Sequence, residues 1–131
     1  MPYLTLACAS PTPVDFGELA ATLTDLTVEL LGKARGLTVV AVHPVAVDHW
    51  FVGGAPLSEG RAGAVLEIRI TAGTNTKAQK AAFVRAAFAA LEARLGGLDP
   101  ASYVTLHEPP ADAWGYSGQT QEFRFVRSQP L

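Results

Sequence analysis

The chain has 131 residues, the size of one ordinary domain. Hydrophobic residues make up 49% and charged residues 17% of it, and its mean hydropathy is +0.22, whereas about a quarter of the residues are charged in typical soluble domains. This is more apolar surface than one small domain hides easily, so the composition predicts contacts between subunits. The net charge is −2, and lysines and arginines are spread along the chain. This distribution excludes the basic stripe that binding to nucleic acid requires.

No stretch of the sequence has the length of a membrane span. About 18 uninterrupted apolar residues are needed, and the longest apolar run, residues 37–47, is shorter and contains Thr38, His43 and Pro44. The first residues lack the basic region and the longer apolar region of a secretory signal. Cys8 is the single cysteine and can form no internal disulfide. We therefore expect a cytoplasmic protein without membrane contact.

The first part of the chain predicts a strand, a helix and a second strand. In residues 3–8 the side chains of Leu4, Leu6 and Cys8 alternate with those of Tyr3, Thr5 and Ala7. This alternation is typical of a strand with two different faces. Apolar residues then recur at three- and four-residue steps between Asp15, which can cap a helix, and Gly32, which can end it. Residues 37–47 are β-branched and almost continuously apolar, so they predict a strand buried on both faces.

The same order of elements follows a turn-rich connection over residues 51–63. Residues 64–71 predict a strand in which the side chains of Leu66, Ile68 and Ile70 share one face. A second helix begins at Asn75 or Thr76 and stops at two glycines, residues 96 and 97, and residues 103–107 form the fourth strand.

These elements predict an α/β fold made of two repeated β-α-β units, over about residues 2–47 and 64–108, within a single domain spanning residues 1–131. Right-handed crossovers place both helices on one face of a four-stranded sheet. Because the strands look apolar on both sides, we expect another subunit to cover the bare face. Residues 109–131 contain several aromatic side chains and predict a tail or small hairpin that reaches a neighbour.

The sequence contains no motif for a metal or an organic cofactor. His43, His49 and His107 are scattered, and Cys8 stands alone. Gly53 and Gly54 precede no lysine-bearing helix start, as a phosphate loop would require. A lone histidine on a strand or loop is most often structural, so we expect a protein without cofactor.

Pro2 follows the initial methionine, and methionine before proline is normally trimmed. Trimming would leave a secondary amine at the chain terminus. An α-amino group has a pKa near ~7.7 to 8.0, and burial in an apolar pocket would lower that pKa towards neutrality, where the amine acts as a base or an acid. If Met1 is retained, Pro2 is a tertiary amide without a basic lone pair, and the residue merely starts a strand.

With Pro2 opening the first strand of a doubled β-α-β layout, the chain resembles the tautomerase superfamily over nearly its full length. That superfamily includes 4-oxalocrotonate tautomerase and macrophage migration inhibitory factor. Residues 32–34 and 48–54 look like segments of macrophage migration inhibitory factor. Residues 71–75 match a turn of several members, and residues 111–116 are similar to the tail of malonate semialdehyde decarboxylase.

The resemblance implies homotrimers whose active sites lie between subunits and need no cofactor, with Pro2 as the acid-base catalyst. The chain departs from the dehalogenase and decarboxylase branches, cis-3-chloroacrylic acid dehalogenase among them, because Thr71, Thr74 and Asn75 stand where those branches carry paired arginines. The activities of those branches therefore cannot simply be transferred. We expect a tautomerase acting on a small 2-oxo or enol carboxylic acid; the alternative is an inactive trimer that serves as a binding or structural module.

The remaining candidates for the site are cations and aromatic residues that could contact an anionic substrate. Each has an alternative interpretation: Arg35 as a solvated charge, Arg69 as the ion-pair partner of Glu67, and the aromatic residues as core or interface packing. The predicted substrate-binding residues are Lys33, Arg35, Arg69, Tyr103 and Trp114.

Overall fold

The structure, a computed structural model, describes residues 1–130. Strands and α-helices alternate along most of the chain. In chain order the elements are β1 (Tyr3–Ala9), α1 (Phe16–Leu31), β2 (Val39–Pro44), β3 (Phe51–Val52), β4 (Ala55–Pro56), β5 (Gly63–Arg69), α2 (Lys77–Leu95), β6 (Tyr103–His107), β7 (Gly115–Tyr116), β8 (Gln119–Thr120) and α3 (Gln121–Ser128). The α/β class predicted from the sequence is confirmed.

Four of the strands form one sheet in the order β2-β1-β5-β6. β1 is parallel to β2, and β5 is parallel to β6, with a helix joining each pair. The two units meet in the middle, where β1 and β5 are antiparallel and Leu6 lies opposite Leu66. The carboxyl ends of β5 and β6 therefore lie at the same end of the sheet as the start of β1 and Pro2.

The hydrophobic core lies between α1, α2 and one face of the sheet. Every second residue of the two central strands enters it, and Leu4, Leu6, Leu66 and Ile68 are fully buried. Leucines and alanines at helical spacing supply the other side of the core, as the sequence pattern predicts. The largest helical side chain in the core is that of Phe83, which is also fully buried.

The ends of both long helices follow their capping residues. Asp15 accepts a hydrogen bond from the Glu18 N–H at 3.0 Å, and Gly32 ends α1 with a φ of 69°, a left-handed conformation that favours glycine. Of the two caps that the sequence allowed for α2, Thr76 is the one used, and it forms a capping box with Gln79. α1 thus ends directly before Lys33.

The predicted strand over residues 37–47 is wrong in its extent and its burial. Residues 35–37 form a short 3-10 helix, and only Val39–Pro44 is strand. β2 lies at an edge of the sheet, so its outer side chains have no neighbouring strand beyond them, and Val39 is 58% exposed. An apolar run alone does not distinguish an edge strand from a central one.

The sheet face opposite the helices is mixed in polarity, so the expectation of strands apolar on both sides is wrong as well. Glu67 and Arg69 on β5 point to this face, as their alternation with Leu66 indicates. Tyr3 and His107 lie on the neighbouring strands in register with Arg69. One subunit alone leaves this face uncovered.

The segment after β6 folds as a short hairpin followed by a helix. β7 pairs with β8, and Gly115 allows the close approach of the two strands because a Cβ there would overlap the Gln119 carbonyl. The hairpin agrees with the sequence expectation, but α3 was not predicted. Thr120 caps it by accepting a hydrogen bond from the Phe123 N–H at 3.0 Å.

Candidate active site

Pro2 lies immediately before β1, and its side chain is fully buried. Its carbonyl oxygen accepts a hydrogen bond from the Val39 N–H at 3.4 Å, so the pairing of β1 with β2 extends to this residue. Burial and this hydrogen bond fix the position of Pro2 at the end of the sheet where β1 begins. The nitrogen of Pro2 is therefore placed on a rigid strand rather than on a loose chain end.

An apolar cleft of about 460 Å³ opens beside Pro2. Most of its walls are hydrocarbon and aromatic, and they come from the chain start, from the entry to β2 and from the C-terminal hairpin. The residues that line this apolar cleft are Met1, Pro2, Tyr3, Leu37, Val39, Trp114, Gly115 and Tyr116. Such a cleft suits the hydrocarbon part of a small ligand.

A second cavity, the lysine chamber, has a volume of about 410 Å³ and shares Met1 with the apolar cleft. Lys33 donates a hydrogen bond to the Thr74 hydroxyl at 2.9 Å, and that hydroxyl donates to the Thr71 carbonyl at 2.7 Å. The turn after β5 therefore holds the ammonium group. The residues that line the lysine chamber are Met1, Lys33, Thr71, Ala72, Gly73, Thr74, Ala111, Gln121 and Phe125.

The Met1 amino group and the Lys33 side chain both have lowered pKa values. Burial lowers the pKa of the Met1 amino group, and the positive charge of Lys33 lowers it further. Burial also lowers the pKa of Lys33, while the Glu108 carboxylate acts in the opposite direction. Two amino groups that are costly to charge together favour an anion between them.

Trp114 lines the apolar cleft beside Pro2. Its indole N–H donates a hydrogen bond to the Thr71 hydroxyl at 3.2 Å, which ties the C-terminal hairpin to the turn after β5. Its ring centroid lies 6.3 Å from that of Tyr3, in a tilted arrangement. Trp114 therefore forms a wall of the Pro2 site.

Arg69 lies on the far side of Trp114, in a third cavity of about 460 Å³ that also contains Tyr3 and His107. Its guanidinium lies 4.9 Å from the centroid of the Tyr3 ring. Glu67 is within 3.6 Å of it and within 3.3 Å of the His107 ring nitrogen. The ion pair that the sequence left open is thus present, and Arg69 nevertheless faces a cavity next to the site.

Arg35 and Tyr103 lie outside these three cavities. Arg35 is exposed and forms an ion pair with Asp25 at 2.7 Å. Tyr103 is 61% exposed on β6, in the third row of side chains from the edge that holds Pro2. A role for either residue requires a second subunit and stays a prediction.

Residues 11–60 of the chain match the family described as Tautomerase enzyme. No curated protein matches significantly. Among solved structures, native fused 4-OT is 27% identical, with a TM-score of 0.74 over 91% of this chain and 97% of that one. A symmetric trimer of fused 4-OT gives 24% identity and a TM-score of 0.79, covering 92% and 96% of the two chains. This chain therefore has the tautomerase fold, and its residues 11–60 carry the family match.

Two further solved structures share the fold. Pt0534 inactivated by 2-oxo-3-pentynoate is 18% identical, with a TM-score of 0.81 and coverage of 93% of this chain and 98% of that one. A macrophage migration inhibitory factor-like protein from Entamoeba histolytica is 19% identical, with a TM-score of 0.74 and coverage of 91% and 97%. The match with these structures spans both β-α-β units of the chain.

The structure adds wall residues that the sequence analysis did not select. Leu37, Val39 and Tyr116 line the apolar cleft, and Gln121 lines the lysine chamber. Apolar side chains and a single glutamine carry no motif, so their role becomes visible only when the chain folds. The one available signal was the aromatic content of the C-terminal segment.

Residues 1–130 contain neither a membrane-spanning helix nor a cluster of metal-binding side chains. No helix in this part of the chain is long and apolar enough to cross a membrane. No cluster of three or more histidine, cysteine, aspartate or glutamate side chains in the same residues could hold a metal ion.

Proposed function

We propose that the protein is a tautomerase that interconverts the keto and enol forms of a small 2-oxo carboxylic acid, with Pro2 as the acid-base catalyst after removal of Met1. The observation that carries the proposal is the fully buried Pro2 in an apolar cleft that adjoins, through Met1, the chamber holding the ammonium group of Lys33. The inactivation of the related Pt0534 by 2-oxo-3-pentynoate supports this class of ligand. The proposal includes no metal or organic cofactor.

The reaction needs a base of nearly neutral pKa. The Pro2 nitrogen removes a proton from carbon 3 of the 2-oxo acid, the C–H electron pair forms the C2=C3 double bond, and the carbonyl electron pair moves to oxygen. The protonated amine then returns the proton to that oxygen, so no atom is gained or lost. The causes that lower the pKa of the Met1 amine, burial first and Lys33 second, would act on a free Pro2 amine at the same place.

The walls of the site favour a ligand with one charged end and one apolar end. Lys33 would balance the carboxylate, and it would also favour the negative charge that develops on the enolate oxygen. Trp114 and Tyr116 would exclude water from the reacting carbon. Arg69, behind Trp114, is proposed as a second contact for larger anions. Phenylpyruvate has the required charge, size and acidic C–H bond, so it is the probe we choose.

Three proteins compared on phenylpyruvate test the role of Pro2. We expect the chain without Met1 to be active, the Pro2→Ala variant to be slower because its amine differs in order and basicity, and a chain that retains Met1 to lose activity by about 10²-fold or more. Retention acylates the nitrogen and leaves the strand intact. Circular dichroism should give the same spectrum for all three, and equal turnover by all three would refute the role of Pro2.

We further propose that three copies of the chain assemble and complete the site. Val39 and Tyr103 are 58% and 61% exposed on the uncovered sheet face, and the related fused 4-OT forms a symmetric trimer. Light scattering should give about three times the chain mass of 13.8 kDa; the mass of one chain would contradict the assembly. A cytoplasmic location is also proposed, on the sequence alone.

A trimer that binds ligands without catalysis is the second candidate. The observation that favours it is the position of Met1, which lines both the apolar cleft and the lysine chamber and leaves Pro2 as an amide. N-terminal sequencing or mass spectrometry of the protein separates the two candidates. Retained Met1 together with saturable anion binding would support the binding module.

A further inference from the structure

Gln121 begins α3 and lines the lysine chamber together with Lys33 and Met1. Its position is set by the backbone, because its N–H donates a hydrogen bond to the Trp114 carbonyl at 2.9 Å. The next residue, Glu122, donates in the same way to the Ala111 carbonyl at 2.9 Å. The first turn of α3 is thereby fixed to the segment that carries Trp114.

The side-chain amide nitrogen of Gln121 is buried and has no hydrogen-bond partner among residues 1–130. Leaving a buried donor unpaired is costly, and such groups in folded proteins need an explanation. The adjacent hydroxyl of Thr74 is already engaged by Lys33. A rotation of the Gln121 side chain into the chamber would let a ligand oxygen satisfy the unpaired donor.

We propose that Gln121 is a substrate-binding residue whose amide nitrogen donates a hydrogen bond to an oxygen of the 2-oxo acid that Lys33 attracts. The ammonium group supplies charge without direction, whereas the amide supplies a directed donor, so the two together orient the anion in front of Pro2. Phe125, one helical turn after Gln121, lines the same chamber and limits its size. The inference rests on the proposed function for the identity of the ligand.

The test measures equilibrium binding of phenylpyruvate to the full chain by calorimetry. Gln121→Leu removes the donor at similar size, and we expect the Kd to rise about tenfold, which corresponds to about 1.4 kcal/mol. Gln121→Glu keeps the shape and replaces the donor with an anionic acceptor, so the Kd should rise further. Gln129→Leu is the matched control: Gln129 is exposed just after α3 and lines none of the three cavities, and its Kd should equal that of the wild type.

The outcomes separate this inference from the catalytic proposal. An unchanged Kd in Gln121→Leu would overturn the role of Gln121, as would be found if its amide instead bonded a second copy of the chain. Binding by the wild type without keto-enol exchange would contradict catalysis by Pro2 and leave the role of Gln121 standing. A wild-type chain that does not bind phenylpyruvate would overturn both. Thermal melts of the variants must match that of the wild type, and Gln121→Glu gives a second measure if Gln121→Leu unfolds.

Discussion

Pro2 and Ala62 occupy matching places in the two β-α-β units, since each lies directly before the first strand of its unit and has a fully buried side chain. Each carbonyl accepts a hydrogen bond from the segment after the helix of its unit, Pro2 from the Val39 N–H at 3.4 Å and Ala62 from the Asp99 N–H at 2.8 Å. The backbone framework is therefore used twice.

The acid-base chemistry proposed for Pro2 is possible in only one of the units. The nitrogen of Ala62 is a peptide amide that donates a hydrogen bond to the Gly97 carbonyl at 3.0 Å, so it can never be a base. Gly97 itself stands where the first unit has Lys33, one residue after the glycine that ends the helix. A nitrogen that removal of Met1 would free and a neighbouring cation, rather than the fold, thus distinguish the candidate site from its counterpart.

The largest effect we expect comes from imposing proline on the second unit. Ala62→Pro removes the buried N–H that bonds the Gly97 carbonyl, so the free energy of unfolding should fall by about 1–3 kcal/mol. Urea denaturation measures it. Ala62→Gly retains the N–H and should be less damaging, whereas Pro2→Ala removes no hydrogen bond and should leave stability nearly unchanged. Equal stability of Ala62→Pro and the wild type would show that the two positions are not constrained differently.

A smaller effect should follow from removing the cation Lys33 from the first unit, since the second unit has no cation at the matching position. Lys33→Ala should raise the KM for phenylpyruvate about tenfold, or about 1.4 kcal/mol. Lys33 lowers the pKa of the Met1 amine, and we expect it to act in the same direction on a freed Pro2 amine, so its loss should raise the pKa of that amine. The active form of the amine is unprotonated, so the rise of kcat with pH should move to higher pH.

The exposed Lys77 provides the control for this loss of charge, because it lies at the start of α2 and lines none of the three cavities. Lys77→Ala should leave both KM and the pH profile unchanged. A Lys33→Ala variant with wild-type KM would remove Lys33 from the site, and a KM change without a shifted pH profile would separate anion binding from control of the amine.

Much of the sheet and both long helices could be predicted from the sequence because local signals agree there. Asp15 and Gly32 mark the ends of α1, and β6 has the bounds that the pattern predicts. β2 was predicted too long and too deeply buried, since an apolar run does not reveal a place at the sheet edge. α3 was missed because its phenylalanines and valine resemble a strand, whereas the cap at Thr120 starts a helix.

The sequence predicted those residues of the candidate site whose side chain or position is itself chemically distinctive. Pro2, Lys33 and Trp114 border adjoining cavities around Met1, although they are far apart in the sequence. Arg35 was selected for its charge, but its side chain pairs with Asp25 at the surface. Gln121 has no distinguishing sequence context, and only its burial and its place in the chamber bring it forward.

Met1 and α3, near the other end of the chain, border one cavity, since Met1 and Phe125 both line the lysine chamber. An affinity tag fused before Pro2 would keep its nitrogen acylated, and a tag after α3 would begin close to the helix that forms the chamber wall. The exposed turn between β3 and β4, where Gly53 and Gly54 adopt positive φ, contributes to none of the three cavities. Purification handles and fluorescent labels therefore belong in that turn.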